Sequence, residues 1–175
     1  MPKDQSNTPL AYFITLTTYG TWLHGDHRGS VDRLWHHTFD TPRIAPNAKL
    51  YVCMQEETRY RTVVFNQHQR QIVMKAMQNT CHYYQWHLYA IHVRSNHVHI
   101  IVSAKDKPEK VMNQLKAYAS RSLNQINPVK QKYWVRHGST RYIWSESFLF
   151  PAMQYVIDQQ GERMACYYES WYATA

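Results

Sequence analysis

Apolar and polar positions alternate with a period of two in "AYFITLTTYG", where Tyr12, Ile14 and Leu16 stand against Phe13, Thr15 and Thr17; this predicts a first strand. The polar stretch "TWLHGDHRGSVDRLWHHTFDTPRIAPNAK" then reads as a long loop insertion over about residues 20–50. "LYVCMQEETRYRTVVF" mixes the two periods and suits a short helix followed by a strand. In "QHQRQIVMKAMQNTCHYY", Ile72, Val73, Ala76, Met77 and Cys81 recur at helical spacing, with Asn66 as the N-cap. "WHLYAIHV" and "HVHIIVSA" read as two strands joined by the tight turn Arg94-Ser95-Asn96. Pro108 can open the next helix, whose apolar stripe is Val111, Leu115, Tyr118 or Ala119, Leu123 and Ile126.

The basic, aromatic segment "VKQKYWVRHGSTRYIW" is irregular, with at most one strand near Arg141–Trp144. A last helix is expected in "SESFLFPAMQYVIDQQG", begun by Ser145 or Ser147, with Pro151 tolerable only in its first turn and Gly161 able to end it. The order β-α-β-β-α-β followed by a helix predicts an α+β fold: a ferredoxin-like antiparallel sheet with an added C-terminal helix. The 175 residues form one expected domain, 1–175, with no internal repeat.

Charge narrows the partner. Lys and Arg number 20 against 12 Asp and Glu, a formal net charge of +8, and 14 Tyr and 6 Trp accompany them. That balance suits a polyanion such as nucleic acid, though a basic solvated surface has the same composition. No apolar run approaches a membrane span, and "MPKDQSNTPL" has no signal-peptide core. Cys53, Cys81 and Cys166 are odd in number and form no CxxC pair, which argues against a disulfide scaffold and for a reducing cytoplasm. Gly20 and Gly25 have phosphate-loop spacing, but Asp26-His27 stand where Lys-Ser/Thr should be, so nucleotide-driven chemistry is not expected.

The candidate chemistry lies in "VRSNHVHIIVSA". On a strand, His97 and His99 point to one face while Val98 points to the other. Two imidazoles can begin a metal site but do not complete one. In the last helix Tyr155 and Gln159 are four residues apart and so share a face. A Gln oxygen can ligate Mg or Mn, and a phenol one turn away could attack phosphorus once a divalent ion polarises the phosphate. His92 is either a further ligand or a satisfied core residue. "HGDHRG" offers His24, Asp26 and His27 either for a second metal or for a loop held by Asp26 with Arg28.

"SNHVHIIVS" resembles the His-hydrophobic-His (HUH) motif of single-strand DNA endonucleases, and "AMQYVIDQQG" resembles their catalytic tyrosine helix. The similarity extends through "YFITLTTYGTWL", "LKAYASRSLN" and "HGSTRYIW", and is strongest to IS200-like single-tyrosine transposases and their REP-associated relatives. It implies cleavage of single-stranded DNA at hairpin or repeat ends, leaving a 5′-phosphotyrosine and a free 3′-hydroxyl. It also implies Tyr155 as nucleophile, and His97, His99 and Gln159 as ligands of Mg or Mn. Two-tyrosine relatives carry a second Tyr one turn away; this helix has only one. Tyr118, in the basic helix, is the rival nucleophile. The resemblance leaves open whether the protein is a monomer or a homodimer.

For DNA contact the expected residues are Lys116, Arg121, Lys130, Lys132, Arg136 and Arg141 on phosphates, with Tyr133, Trp134, Tyr142 and Trp144 stacking on bases. Two other classes remain open on the residues alone. One is a non-catalytic ferredoxin-like nucleic-acid-binding module. The other is a structural zinc protein using His97, His99 and a Cys.

Overall fold

The computed structural model describes residues 8–21, 45–56, 61–127, 129 and 131–174. The elements run β1 (Ala11–Thr17), α1 (Ala48–Glu56), α2 (Gln67–Tyr83), β2 (His87–Val93), β3 (His97–Ser103), α3 (Pro108–Ile126), β4 (Ser139–Ile143), α4 (Glu146–Asp158) and β5 (Ala165–Tyr168), closed by a 3-10 turn at Ser170–Thr174. One antiparallel sheet has the order β4-β1-β3-β2-β5. Without β5 this is the ferredoxin-like arrangement, and β1, α2, β2, β3, α3 and β4 supply its β-α-β-β-α-β order.

The period-two patterns decide which side of the sheet each helix covers. Tyr12, Ile14 and Leu16 of β1, and Val98, Ile100 and Val102 of β3, pack in one core with Val73, Met77 and Cys81 of α2 and Val111, Leu115 and Leu123 of α3. The opposite parity, Ala11 and Ile101 with Ala90 and Ile143, packs under Leu149, Met153, Val156 and Ile157 of α4. The two histidines of β3 share that second parity. They therefore lie on the side that α4 covers.

Local signals explain most boundaries. Asn66 caps α2 in a reciprocal capping box: its side chain accepts from the Gln69 backbone N–H while the Gln69 side chain accepts from the Asn66 N–H. Pro108 sits in the first turn of α3, where its missing N–H costs nothing.

Three expectations change. Pro151 lies well inside α4, because Ser145 rather than Ser147 is the N-cap. The helix thus runs past a residue that cannot donate to the Ser147 carbonyl, and the packing of Leu149, Met153 and Val156 offsets the loss. The strand expected after α1 is absent from the described residues 61–66. There the backbone runs extended, donating from Val63 to the Tyr19 carbonyl and from Phe65 to the Ser95 carbonyl, and burying both side chains without joining the sheet. A fifth strand follows α4, where "ACYY" is too short to carry a pattern. Most of the expected insertion, including His24, Asp26, His27 and Arg28, lies outside the described residues.

Lys116 is the largest departure. α3 buries it to 8% exposure, and its ammonium donates to the carbonyls of Val135 (2.8 Å), Arg136 (3.3 Å) and His137 (2.9 Å). It thereby fastens the irregular segment that enters β4. Next along, Gly138 passes so close to β1 that a Cβ would stand 2.6 Å from the Thr15 carbonyl oxygen.

Lys116→Met leaves those three carbonyls without this donor and is expected to cost about 2 kcal/mol. Burial pulls the Lys116 pKa from 10.5 down to about 8. A depressed folded-state pKa means that the unfolded chain binds more protons between those values, so stability from this group rises with pH there. The deficit of the Met variant should therefore be larger near pH ~9.5 than near neutrality. Thermal melts of both proteins at the two pH values check the sign.

Candidate functional site

Five strands present one row of side chains toward α4. Backbone register places Ser139 beside Thr15, Thr15 beside His99, His99 beside His92, and His92 beside Cys166. His97 lies one pleat further along β3, and its ring centroid is 4.7 Å from that of His99. Tyr155 leans from α4 onto His99. Its ring is 5.7 Å from His99 and 5.8 Å from Phe13, and Phe13 in turn lies 5.4 Å from His99. Tyr155 keeps 42% of its surface exposed while His99 keeps 6%, so a buried imidazole faces a solvent-reachable phenol.

The ring nitrogens are oriented by neighbours. His97 Nδ1 donates to Asn96 Oδ1 at 2.7 Å, and Nδ1 of His99 is bonded to Thr15 Oγ1 at 2.9 Å. Burial first, and then the charge of neighbouring His97, hold His99 down at about 3, against a raising effect of the nearby Gln160 side chain. The ring is therefore neutral at ordinary pH, the form that can ligate a metal. Fixing one imidazole nitrogen in this way is what directs the other at a ligand.

His92 is satisfied in the core, as one of its two readings holds. Its Nδ1 donates to the Val156 carbonyl at 2.8 Å and its Nε2 accepts the Met164 N–H at 3.1 Å. Burial lowers its pKa.

Gln159 stands just beyond the helix. α4 ends at Asp158, Gln159 becomes the C-cap at φ −102° and ψ 17°, and its side chain is exposed. The next residue turns back instead: Gln160 Nε2 donates to the Tyr155 carbonyl at 3.1 Å while its side chain lies near His99. The structure thus brings together His97, His99, Tyr155 and Gln160. The four-residue spacing that favours Gln159 assumes a helix one residue longer. "DQQG" offers two glutamines, and sequence spacing alone cannot choose between them.

Tyr118 stands apart. It lies on α3, behind the other side of the sheet, with its ring 6.3 Å from Tyr83 and from Tyr84 and the Arg121 guanidinium 4.9 Å above it. Among the expected DNA contacts, Lys116, Tyr133 and Trp134 are corrected. Lys116 spends its ammonium on backbone carbonyls, and Tyr133 and Trp134 are core residues at 3% and 5% exposure. Trp134 is further fixed by an indole bond to Ser120 and an edge contact with Phe65. Arg121, Lys132, Arg136 and Arg141 are exposed, and Lys130 lies outside the described residues. Of these, Arg141 is paired in register with Phe13 and so belongs to the imidazole face. Tyr142 and Trp144, stacked 5.9 Å apart at 14°, are the exposed aromatics of that segment.

The ferredoxin-like sheet thus presents two oriented imidazoles on the side covered by a helix that carries a phenol. Residues 49–160, well over half of the chain, match the model of the family described as "Transposase IS200 like", and the chain belongs to that family. None of the curated proteins matches it. Two solved structures are similar in outline. One is a REP-associated tyrosine transposase bound to a REP hairpin, with TM-score 0.48, 10% identity, and 91% of this chain and 71% of that one covered. The other is a candidate transposase from Deinococcus radiodurans, with TM-score 0.44, 13% identity, and 93% and 100% covered. Among the described residues, no helix is long and apolar enough to cross a membrane.

Proposed function

We propose that this IS200-like transposase is a metal-dependent enzyme that nicks and rejoins single-stranded DNA through a covalent tyrosine intermediate. The observation that carries the reading is the approach of the Tyr155 ring to His99, 5.7 Å between centroids, on the face where His97 is also presented. The substrate is single-stranded DNA near hairpin or repeat ends. Its backbone is drawn by the +8 charge, with Arg141 beside the reacting face.

The donor set suits a divalent ion. Two neutral imidazoles and an amide oxygen are acceptable to Mn and, less well, to Mg. Among the described residues no three His, Cys, Asp or Glu converge, and a zinc site with a cysteine finds no support there; an amide is the third protein donor of this proposal. When bound, the ion would polarise the scissile phosphate and neutralise its developing charge. His97 and His99 would hold it through the ring nitrogens not bonded to Asn96 and Thr15. Tyr155 positions its hydroxyl oxygen in line with phosphorus. The Tyr155 Oη–P bond forms as the P–O3′ bond breaks, the phenolic proton passes to solvent, and the departing 3′ oxygen takes one up. The phosphotyrosine keeps the bond energy for rejoining, so no nucleotide is consumed.

The third donor on this reading is either the Gln159 that motif spacing suggests or Gln160, whose side chain lies near His99; we favour Gln160. Gln160→Ala should raise the Mn concentration for half-maximal activity about tenfold, and Gln159→Ala should leave it unchanged. The reverse ranking restores Gln159.

The function itself is tested by incubating the protein with single-stranded hairpin DNA from the flanks of its own gene, with and without Mn. A protein–DNA adduct that survives denaturation, forms only with the metal and joins the protein to the 5′-phosphate of the downstream fragment is expected. Tight binding with no adduct at any metal concentration would leave a binding module and overturn the enzyme.

A further inference from the structure

We propose that His92 is the positioning residue that holds the tyrosine helix against the imidazole pair. The role rests on Tyr155 being the attacking residue. A helix ends with four carbonyls that have no donor within it. In α4 these belong to Tyr155, Val156, Ile157 and Asp158. Side chains cap the first two: Gln160 donates to the Tyr155 carbonyl at 3.1 Å, and His92 Nδ1 donates to the Val156 carbonyl at 2.8 Å.

His92 projects from β2 directly beside His99 of β3, so the ring that grips the helix is one strand from the ring that Tyr155 touches. Its second nitrogen is used as well. Nε2 accepts the Met164 N–H at 3.1 Å, which fixes the chain after it has turned at Gly161, φ 76°. One fully buried imidazole thus ties together the last turn of α4, the exit segment and the strand next to the candidate metal ligands. Only the tautomer with hydrogen on Nδ1 can make both bonds. A displacement of about 1 Å at this turn would move the Tyr155 hydroxyl and Gln160 together, an error worth about 10²-fold in rate.

Two substitutions separate the bonds. Asn places an amide nitrogen near the position of Nδ1 and keeps the Val156 contact. Gln places its amide near Nε2 and keeps the Met164 contact instead. His92→Asn should form the DNA adduct within about tenfold of the wild-type rate. His92→Gln should fall about 10²-fold and need more Mn. Both should bind a hairpin oligonucleotide as the wild type does.

An adduct rate for His92→Gln equal to wild type overturns the role. So does an equal fall in both variants that tracks an equal loss of melting temperature, since that is a general structural effect. Absence of any adduct in the wild type is a different result and removes the nucleophile reading itself. Should His92→Gln not fold, nitrogen-15 spectra of the wild-type ring decide: hydrogen on Nδ1 is expected, and hydrogen on Nε2 would refute the proposal.

Discussion

Tyr155→Phe is expected to eliminate the denaturation-resistant DNA adduct, a loss of at least about 10³-fold, while leaving hairpin binding unchanged. The substitution removes one oxygen and keeps the ring. The ring's contacts are with Phe13 at 5.8 Å and His99 at 5.7 Å, and both are edge-on packing that a phenyl ring can reproduce. Stability should therefore stay within about 0.5 kcal/mol of the wild type, so a lost adduct cannot be blamed on unfolding. Tyr118→Phe is the control. Its hydroxyl lies behind the sheet, and the adduct should form at the wild-type rate. Labelled oligonucleotide run on a denaturing gel reads both variants. An adduct that persists in the Tyr155→Phe protein would move the nucleophile elsewhere and dissolve the pairing of phenol and imidazoles.

The contrast between Tyr155 and Tyr118 also marks what sequence could reach. The parity of β3 was legible because a strand has a period of two: Val98, Ile100 and Val102 had to be core, so His97 and His99 had to share the other side. The helix that covers this side was legible from its apolar run. Its last residue was not. Whether α4 stops at Asp158 or includes Gln159 is tied to the His92 and Gln160 bonds to its free carbonyls, and the His92 bond arises only when β2 and α4 are already packed.

Lys116 failed for a related reason. A lysine at this place in an amphipathic helix reads as solvated, yet three carbonyls from residues 135–137 converge on it through a segment with no periodic signal. Tyr133 and Trp134 lie next to that segment. An isolated bridge between Thr18 and Trp134 and a backbone bond from Tyr19 to the Tyr133 carbonyl draw them inward. Composition marked these aromatics as candidates for stacking on bases; tertiary bonding made them core.

The second large effect concerns the imidazoles themselves, and the two should not behave alike. His99→Ala removes a buried ring that packs on Phe13 and Tyr155 and bonds to Thr15, so it should cost about 2 kcal/mol of stability as well as the adduct. His97, only partly buried, should cost less than about 1 kcal/mol when replaced by Ala. Yet each should lower adduct formation by about 10²-fold or more, because on the proposed mechanism each supplies a ligand and the remaining donors would hold a divalent ion poorly. Excess Mn should restore part of the activity in His97→Ala. It should restore little in His99→Ala, where loss of the ring also frees Tyr155 and Gln160 from their support. Melting curves together with adduct yield over a Mn titration separate the two contributions. If the double variant still forms adduct with the wild-type metal dependence, the ion is held by other residues, and the face defined by β3 and α4 has some other use.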